Sequence, residues 1–397
     1  MKRFIQIAGA VLAVVAGTLV GAAPARAADK EPIVIGAALA LSGNLADSGE
    51  HVRKAYLLWQ DEINAKGGLL GRKVEMKIYD DRSDGATAAK LYERLITQDK
   101  VDLLLGPFGS ASTAASTAVA ETHKRVFLNV AGASQMIHRR GFKYIFQVLP
   151  PITEYVAGVL PLMQERGYKT MMIVTRDYAA SRDIVDYYKA NAAKLGIDLK
   201  SIDLYPAGTA DYSNYIAKAK AQNVDVWLSI AYPNESVEMV KQFKAAGYAP
   251  RMFISQGVSQ EDFLQGLGKD ADFSMGMSPY EHTLPTKGNA EFVRSWVLRY
   301  KYLPGYYAGF AYGACKVLEE AVKKVGSLDQ ERLRSTLSTM QTETPLGPYK
   351  VDPETGEQVA AKAVIVEILG GKREVVWPAK FSTAKPVLPY PQWDTRK

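Results

Sequence analysis

Two strand ends hold the residues best placed to do chemistry. Leu103-Leu104-Leu105-Gly106-Pro107 is an apolar strand that runs into Phe108-Gly109-Ser110-Ala111-Ser112-Thr113. A strand that ends in glycine and opens a serine-rich helix leaves free N–H groups and hydroxyls at the carboxyl edge of a sheet. Helix N-terminal amides and the helix dipole favour a carboxylate there. For this edge alone, Ser110 or Ser112 simply capping its own helix is an equal alternative. A second edge follows one strand–helix unit later, at Val130-Ala131-Gly132-Ala133-Ser134, where small residues admit a ligand close to the backbone. Two such edges side by side favour an anion-binding site over two local caps.

Catalytic chemistry finds less support. The sequence has no G-x-x-x-x-G-K-[ST] phosphate loop, no G-x-G-x-x-G after a strand, no H-E-x-x-H and no G-x-S-x-G. Its four histidines, His51, His123, His138 and His282, are scattered, with no His, Cys or acid at a metal-ligand spacing. Asp80-Asp81-Arg82-Ser83-Asp84-Gly85 lacks the alternating acids and closing Glu of a calcium loop, and reads as an acidic turn capping the next helix. Cys315 stands among Ala311, Ala314 and Leu318 and reads as a small core residue; a single cysteine also excludes an intrachain disulfide. The expectation is a protein that is not an enzyme and carries no metal or cofactor.

Composition sets the frame for these edges. The chain has 397 residues, 47% hydrophobic and 23% charged, enough for a large core and too long for one, so two lobes are expected. Its net charge is +7, but Lys2, Arg3 and Arg26 lie in a stretch, residues 1–27, without acids. The remainder balances 46 basic against 42 acidic residues, too little excess for a nucleic-acid-binding face. The first 27 residues have a positive start, an apolar run from Ile5 to Val20 and Ala25-Arg26-Ala27 at the end. That is the pattern of a cleaved export signal, with Ala28 as the mature N-terminus.

The elements that position the edges alternate strand and helix. Pro32–Leu41 reads as a strand covered on both faces, followed by a helix from Gly49 to Ala65 with Val52, Tyr56, Trp59 and Ile63 on one stripe. Strands at Lys73–Tyr79, Asp102–Gly106 and Val126–Val130 alternate with helices at Thr87–Gln98 and Ser110–Lys124. After Pro150-Pro151 a second set begins. Its strands are Thr170–Thr175, Lys200–Leu204, Asp225–Ile230 and Met252–Ser255. Its helices are Glu154–Arg166, Ser181–Leu195, Tyr212–Gln222 and Glu235–Ala246. From Pro279 the order changes to two helices, Gly288–Tyr300 and Tyr307–Val325. A hairpin-like stretch, Gly347–Gly370, follows, split at Asp352-Pro353 and Glu354-Thr355-Gly356. The expected class is α/β, with two doubly wound parallel-sheet lobes.

Several segments carry a family resemblance: PIVIGAALALSG at the start, INAKGGLLGRKVEMKIYDD, LLLGPFGSAST, the AGAS edge and FKAAGYAPRMFIS. In order and spacing the chain resembles the periplasmic substrate-binding proteins of branched-chain amino-acid ABC transporters, over almost its whole length after the leader. The resemblance implies a type I periplasmic-binding fold, two lobes joined by three crossings near Pro150, Pro279 and Pro348. It places residues 28–149 with 280–347 in one lobe and 150–279 with 348–377 in the other, leaving 378–397 as a Pro-rich tail. It further implies a small carboxylate ligand (an amino acid or an aromatic acid) held in the cleft. Permease and ATPase partner subunits, a periplasmic location and a monomeric state follow from it as well.

Matched position by position, the family's carboxylate-binding Ser falls on Ser110, and its next edge on Ala133 and Ser134. The second lobe's tyrosines fall on Tyr232 and Tyr178. The Glu that takes a ligand ammonium falls on Gln256, a neutral amide that is no counter-ion for a desolvated cation. An aromatic near the opening loop is Ser48 here, and a Gly after the second-lobe Tyr is Ser181. The carboxylate end is therefore expected to persist while α-amino-acid recognition is in doubt, with Tyr178, Tyr232 and Tyr280 walling the pocket. A ligand-presenting sensor protein or an exported enzyme are the alternatives.

Overall fold

A computed structural model describes residues 31–396; the expected leader, 1–27, lies outside them. The first five strands are β1 (Ile33–Leu39), β2 (Val74–Asp80), β3 (Leu103–Leu105), β4 (Phe127–Asn129) and β5 (Ile145–Gln147). They form one wholly parallel sheet in the order β2-β1-β3-β4-β5. Helices α1 (Ala46–Ala65), α2 (Gly85–Thr97) and α3 (Ser110–Thr122) connect the first four. The expected stripe Val52, Tyr56, Trp59 and Ile63 is buried, each side chain contributing about 1.5–3 kcal/mol of apolar burial. Asp84 caps α2 through the Thr87 amide, as the acidic turn suggested.

Short α4 (Ile152–Val156) and α5 (Val159–Glu165) lead into the second sheet. It contains β6 (Thr170–Arg176), β7 (Asp198–Tyr205), β8 (Val226–Ser229), β9 (Met252–Ser255) and β10 (Met275–Ser278), linked by α6 (Ala179–Asn191), α7 (Ser213–Gln222), α8 (Pro233–Ala245) and α9 (Glu261–Leu267). The chain then returns to the first sheet with α10 (Asn289–Tyr300), α11 (Tyr306–Val325) and α12 (Gln330–Thr339). There α11 packs along α1, and the Trp59 indole donates to Glu319 across that contact at 3.0 Å. A small hairpin, β11 (Thr342–Thr344) and β12 (Gly347–Tyr349), precedes β13 (Val364–Leu369) and β14 (Lys372–Trp377). The second sheet runs β14-β13-β10-β9-β8-β6-β7, parallel except for its last two strands.

Two expectations need correction, and several elements went unforeseen. The helix expected over Glu154–Arg166 is two helices, because Pro161 has no N–H to give the Ala157 carbonyl and so stands in the first turn of a new helix; Gly158 at the break lies against the Trp377 ring, where a Cβ would come within 2.5 Å. The hairpin expected within Gly347–Gly370 is displaced. Its Asp352–Gly356 turn closes only the isolated bridge Val351–Gln358, while the ladder forms between β13 and β14 around Gly370-Gly371. Both glycines have positive φ, 58° and 73°, as a two-residue turn between twisted strands demands. β5, β10, α9 and α12 went unforeseen: the two strands are only three and four residues long, and β10 (Met-Gly-Met-Ser) has no β-branched or aromatic residue. The Pro-rich segment after Pro378 packs on the second sheet's lobe: Tyr390 is buried and its amide donates to the Arg251 carbonyl.

Candidate ligand-binding site

The carboxyl ends of both sheets face one cleft. On the five-stranded side, two tyrosines lock the end of β3: Tyr92 of α2 donates to the Leu105 carbonyl (2.5 Å) and Tyr56 of α1 to that of Gly106 (2.9 Å). The chain then turns through Gly109, whose φ of 90° suits only glycine, into α3. Gly109 is the N-cap and supplies no side-chain cap; Ser110 is the first helical residue, and its hydroxyl accepts the Ser134 amide at 3.3 Å. The first-turn amides of α3 thus meet no side-chain cap from the N-cap residue.

The neighbouring edge after β4 is held by Asn129, which closes on both Gly132 backbone groups at 2.8–2.9 Å. Behind it His138 is buried; Asn129 Nδ2 lies 3.0 Å from its Nε2 and the Thr355 carbonyl 3.1 Å from its Nδ1. Nε2 therefore accepts and Nδ1–H donates. Burial pushes the imidazole down to about 4, so it stays neutral.

On the seven-stranded side, Tyr178, Tyr232 and Gln256 each stand just past the end of a strand: β6, β8 and β9. Tyr178 and Tyr232 stack at 6.0 Å and 30°. Gln256 is held from two directions: Tyr178 Oη donates to its Oε1 at 3.3 Å, and its Nε2 donates to Tyr306 Oη at 2.9 Å. Ser181 caps α6 through the Tyr178 backbone.

Five of the six expected site residues, Ser110, Ala133, Tyr178, Tyr232 and Gln256, line one interlobe cavity of about 30 Å³. Ser134 lies at its margin, with its hydroxyl donated across the cleft to Asp183 of α6 at 2.7 Å; the Gln135 amide joins the same oxygen at 3.0 Å. Tyr280 is not a wall of this cavity. It is buried under α11 with its hydroxyl on Asn289, in the space that Gly309 leaves open. Ser48 lines an outer chamber of about 530 Å³ that shares Tyr232 with the inner one.

Sequence reasoning missed most of the wall. Phe108, Tyr155, Tyr306, Tyr307 and Phe310 complete a box of seven aromatic rings, with Phe108 edge-on to Tyr307 at 4.7 Å and Tyr306 to Tyr307 at 4.5 Å. The doublet Tyr306-Tyr307 after Pro304-Gly305 was the available signal. Tyr307 matters most, because its buried hydroxyl makes no hydrogen bond among the described residues. Arg176, which ends β6, and Glu235, whose carboxyl is pushed up by burial, were also missed; both line the outer chamber. No carboxylate lines the inner cavity. Among the described residues no group of three or more His, Cys, Asp or Glu is placed to hold a metal, and no helix is long and apolar enough to cross a membrane.

The chain was compared with known proteins. Residues 32–372 match the model of a family described as periplasmic binding protein. A Leu/Ile/Val-binding protein homolog 7 from Brucella abortus is 25% identical over 395 residues, covering 94% of this chain and 98% of the relative. Two solved structures share the fold. One is a branched-chain amino acid transporter substrate binding protein from Streptococcus pneumoniae in complex with isoleucine (24% identity, 90% of this chain and 100% of that one, TM-score 0.77). The other is an ABC-transporter solute binding protein from Rhodopseudomonas palustris in complex with 3,4-dihydroxy benzoic acid (22%, 92% and 99%, TM-score 0.78).

Proposed function

The chain belongs to the periplasmic binding protein family, and from that premise we propose that it is the solute-binding component of an ABC importer whose ligand is a small carboxylic acid, aromatic or aliphatic, rather than an α-amino acid. Its fold is the type I periplasmic-binding fold, and its general role is that of a transporter's substrate-binding protein. The finer statement rests on one observation: the inner cavity joins the first turn of α3, Ser110 and the unpartnered Tyr307 hydroxyl to an aromatic box that holds no carboxylate. Amides at a helix N-terminus favour an anion. An ammonium group desolvated among these rings would meet ring faces and hydroxyls but no carboxylate counter-ion, and both ends of the Gln256 amide are already engaged by tyrosines.

A cavity of about 30 Å³ is far below the ~300–1,000 Å³ of ordinary ligand sites, so a ligand enters by parting the two sheets. Periplasmic binding proteins close by a hinge. A ligand that touches both edges only when they meet drives closure by its differential affinity. In this proposal three crossings bend, near Pro150, near Pro279 and, instead of near Pro348, just after Gln358, since Thr355 and Gln358 still bond to His138 and Gln147 of the first lobe; the monomeric, exported protein delivers its ligand to a separate permease whose ATPase subunits supply the energy. The similar protein from Rhodopseudomonas palustris, solved with an aromatic acid, supports that ligand class. A thermal-shift screen followed by calorimetry tests it. Benzoate and related acids are expected to stabilise the protein; stabilisation by leucine or valine alone would overturn the reading.

A further inference from the structure

The outer chamber of the cleft contains a guanidinium that the carboxylate site does not use. Arg176 ends β6, and its side chain is 15% exposed, facing the chamber that Asn44, Leu45 and Ser48 close from the opposite lobe. Its one charged partner among the described residues is Glu235, with Nη1 3.5 Å from Oε1, too long for a good hydrogen bond. The other Glu235 oxygen is taken by the Tyr232 amide at 3.0 Å and the Tyr205 hydroxyl at 3.4 Å. A guanidinium presents five N–H donors in a planar fork, and covering it without acceptors is costly. Arg176 lines the chamber and, among the described residues, its donors make no hydrogen bond.

Its position relative to the inner cavity is fixed by Tyr232. The Arg176 Cζ lies 5.1 Å from the Tyr232 ring, and Tyr178 stacks against the other side of the cleft wall at 6.0 Å from that ring. Tyr232 lines both chambers, so a ligand lying along it with its carboxylate at Ser110 extends toward Arg176. Asp47, Glu238 and Asp262 line the same outer chamber and would repel a second carboxylate there. An uncharged oxygen meets no such repulsion.

We infer that Arg176 is a specificity-determining residue, donating to an uncharged acceptor oxygen at the end of the ligand opposite its carboxylate. The preferred ligand is then an acid with a ring hydroxyl, ether or carbonyl at that far end, in place of the bare acid. This inference rests on the carboxylate site proposed above. Isothermal titration of wild type, Arg176→Met and Arg176→Lys with benzoate and 4-hydroxybenzoate tests it. Wild type is expected to bind 4-hydroxybenzoate at least 10-fold tighter than benzoate. In Arg176→Met that ratio falls to near one, whatever loss is common to both acids. In Arg176→Lys, which keeps the charge and loses the fork, the ratio is intermediate. Equal affinity of wild type for both acids, or a ratio unchanged in either variant, would overturn the inference and leave Arg176 as a prop for Tyr232. If wild type bound neither acid, the inference would fall, and the thermal-shift screen with aliphatic acids would decide the carboxylic-acid reading separately. If Arg176→Met does not fold, the wild-type ratio and Arg176→Lys still decide.

Discussion

On the five-stranded side of the cleft the strand ends contribute mainly backbone, the first-turn amides of α3 and the Ala131–Ala133 edge with the Ser110 hydroxyl, while α11 adds the rings of Tyr306, Tyr307 and Phe310 above them. On the seven-stranded side the strand ends contribute side chains, namely Tyr178, Tyr232, Gln256 and Arg176. Backbone amides are set by sheet register and by locks such as Tyr56, Tyr92 and Asn129, so substitution changes them little. Side chains at strand ends change with every substitution. Under the proposed function, the first edge sets the feature the ligands share, a carboxylate, and the second selects what is attached to it.

The comparison breaks most directly at Gln256. In Gln256→Glu, a carboxylate would sit between the Tyr178 and Tyr306 hydroxyls, facing the ligand's own carboxylate inside the same cavity. An uncompensated charge there costs about 3–4 kcal/mol. Benzoate affinity should fall by the corresponding two to three orders of magnitude, while leucine, whose ammonium gains a counter-ion, should bind more tightly. Calorimetry with both ligands checks this. If the variant keeps benzoate and gains nothing for leucine, selection does not reside on the second edge.

The same contrast governs what was legible in the sequence. The first edge was readable because backbone sites announce themselves locally. A buried strand, a glycine and serines at a helix start specify the geometry whatever packs around them, and Ser110 and Ala133 stand on the cavity as expected. Alternating strands and helices were readable for the same reason, since periodicity is local. The aromatic wall, drawn from both lobes, depends on which long side chains reach inward, a property of packing. Tyr280 was expected in the wall but fills the gap over Gly309, whereas Tyr306 and Tyr307 arrive from α11, some fifty residues beyond Gln256. Ser134 stands at the right place in the chain, yet its hydroxyl goes to Asp183, a partner on the other lobe that no spacing reveals. The shift of the final hairpin to Gly370-Gly371 has a similar origin. Two turn signals competed, and burial of Val364–Ile368 decided between them.

Acid offers a way to weaken the first edge alone. Neutral His138 supports Asn129, and its burial holds the imidazole near 4, against about 6.5 in an unfolded chain. Between those values the unfolded state binds the extra proton, so this contribution is whole above pH 6.5 and is lost as pH falls toward 4. The loss is about 2–3 kcal/mol at the acid end. Burial raises Asp81 to about 6 and Glu367 to about 8, and these act in the opposite sense, favouring the fold as pH falls. The informative quantity is therefore a difference: between pH 6.5 and 4.5 the melting temperature of wild type should fall more steeply than that of His138→Gln. Parallel slopes would mean that the edge is held without this histidine.

The smallest expected effect is the sharpest test of the backbone claim. Ser110→Ala removes one hydroxyl from the carboxylate end but leaves the α3 amides in place. The loss should thus be that of a single charge-assisted bond, about 1–2 kcal/mol, and similar for every acid that binds. Ser134→Ala removes a hydroxyl of the same kind whose partner is Asp183 rather than the cavity. Its effect should appear in ligand dissociation, through a weaker contact between the lobes, whatever the ligand. Titration of both variants with two acids separates the roles. Unchanged affinity in Ser110→Ala would remove Ser110 from the site. A loss in Ser110→Ala that differed strongly between acids would show that the first edge also selects, and the division between a shared backbone edge and a selective side-chain edge would then fail.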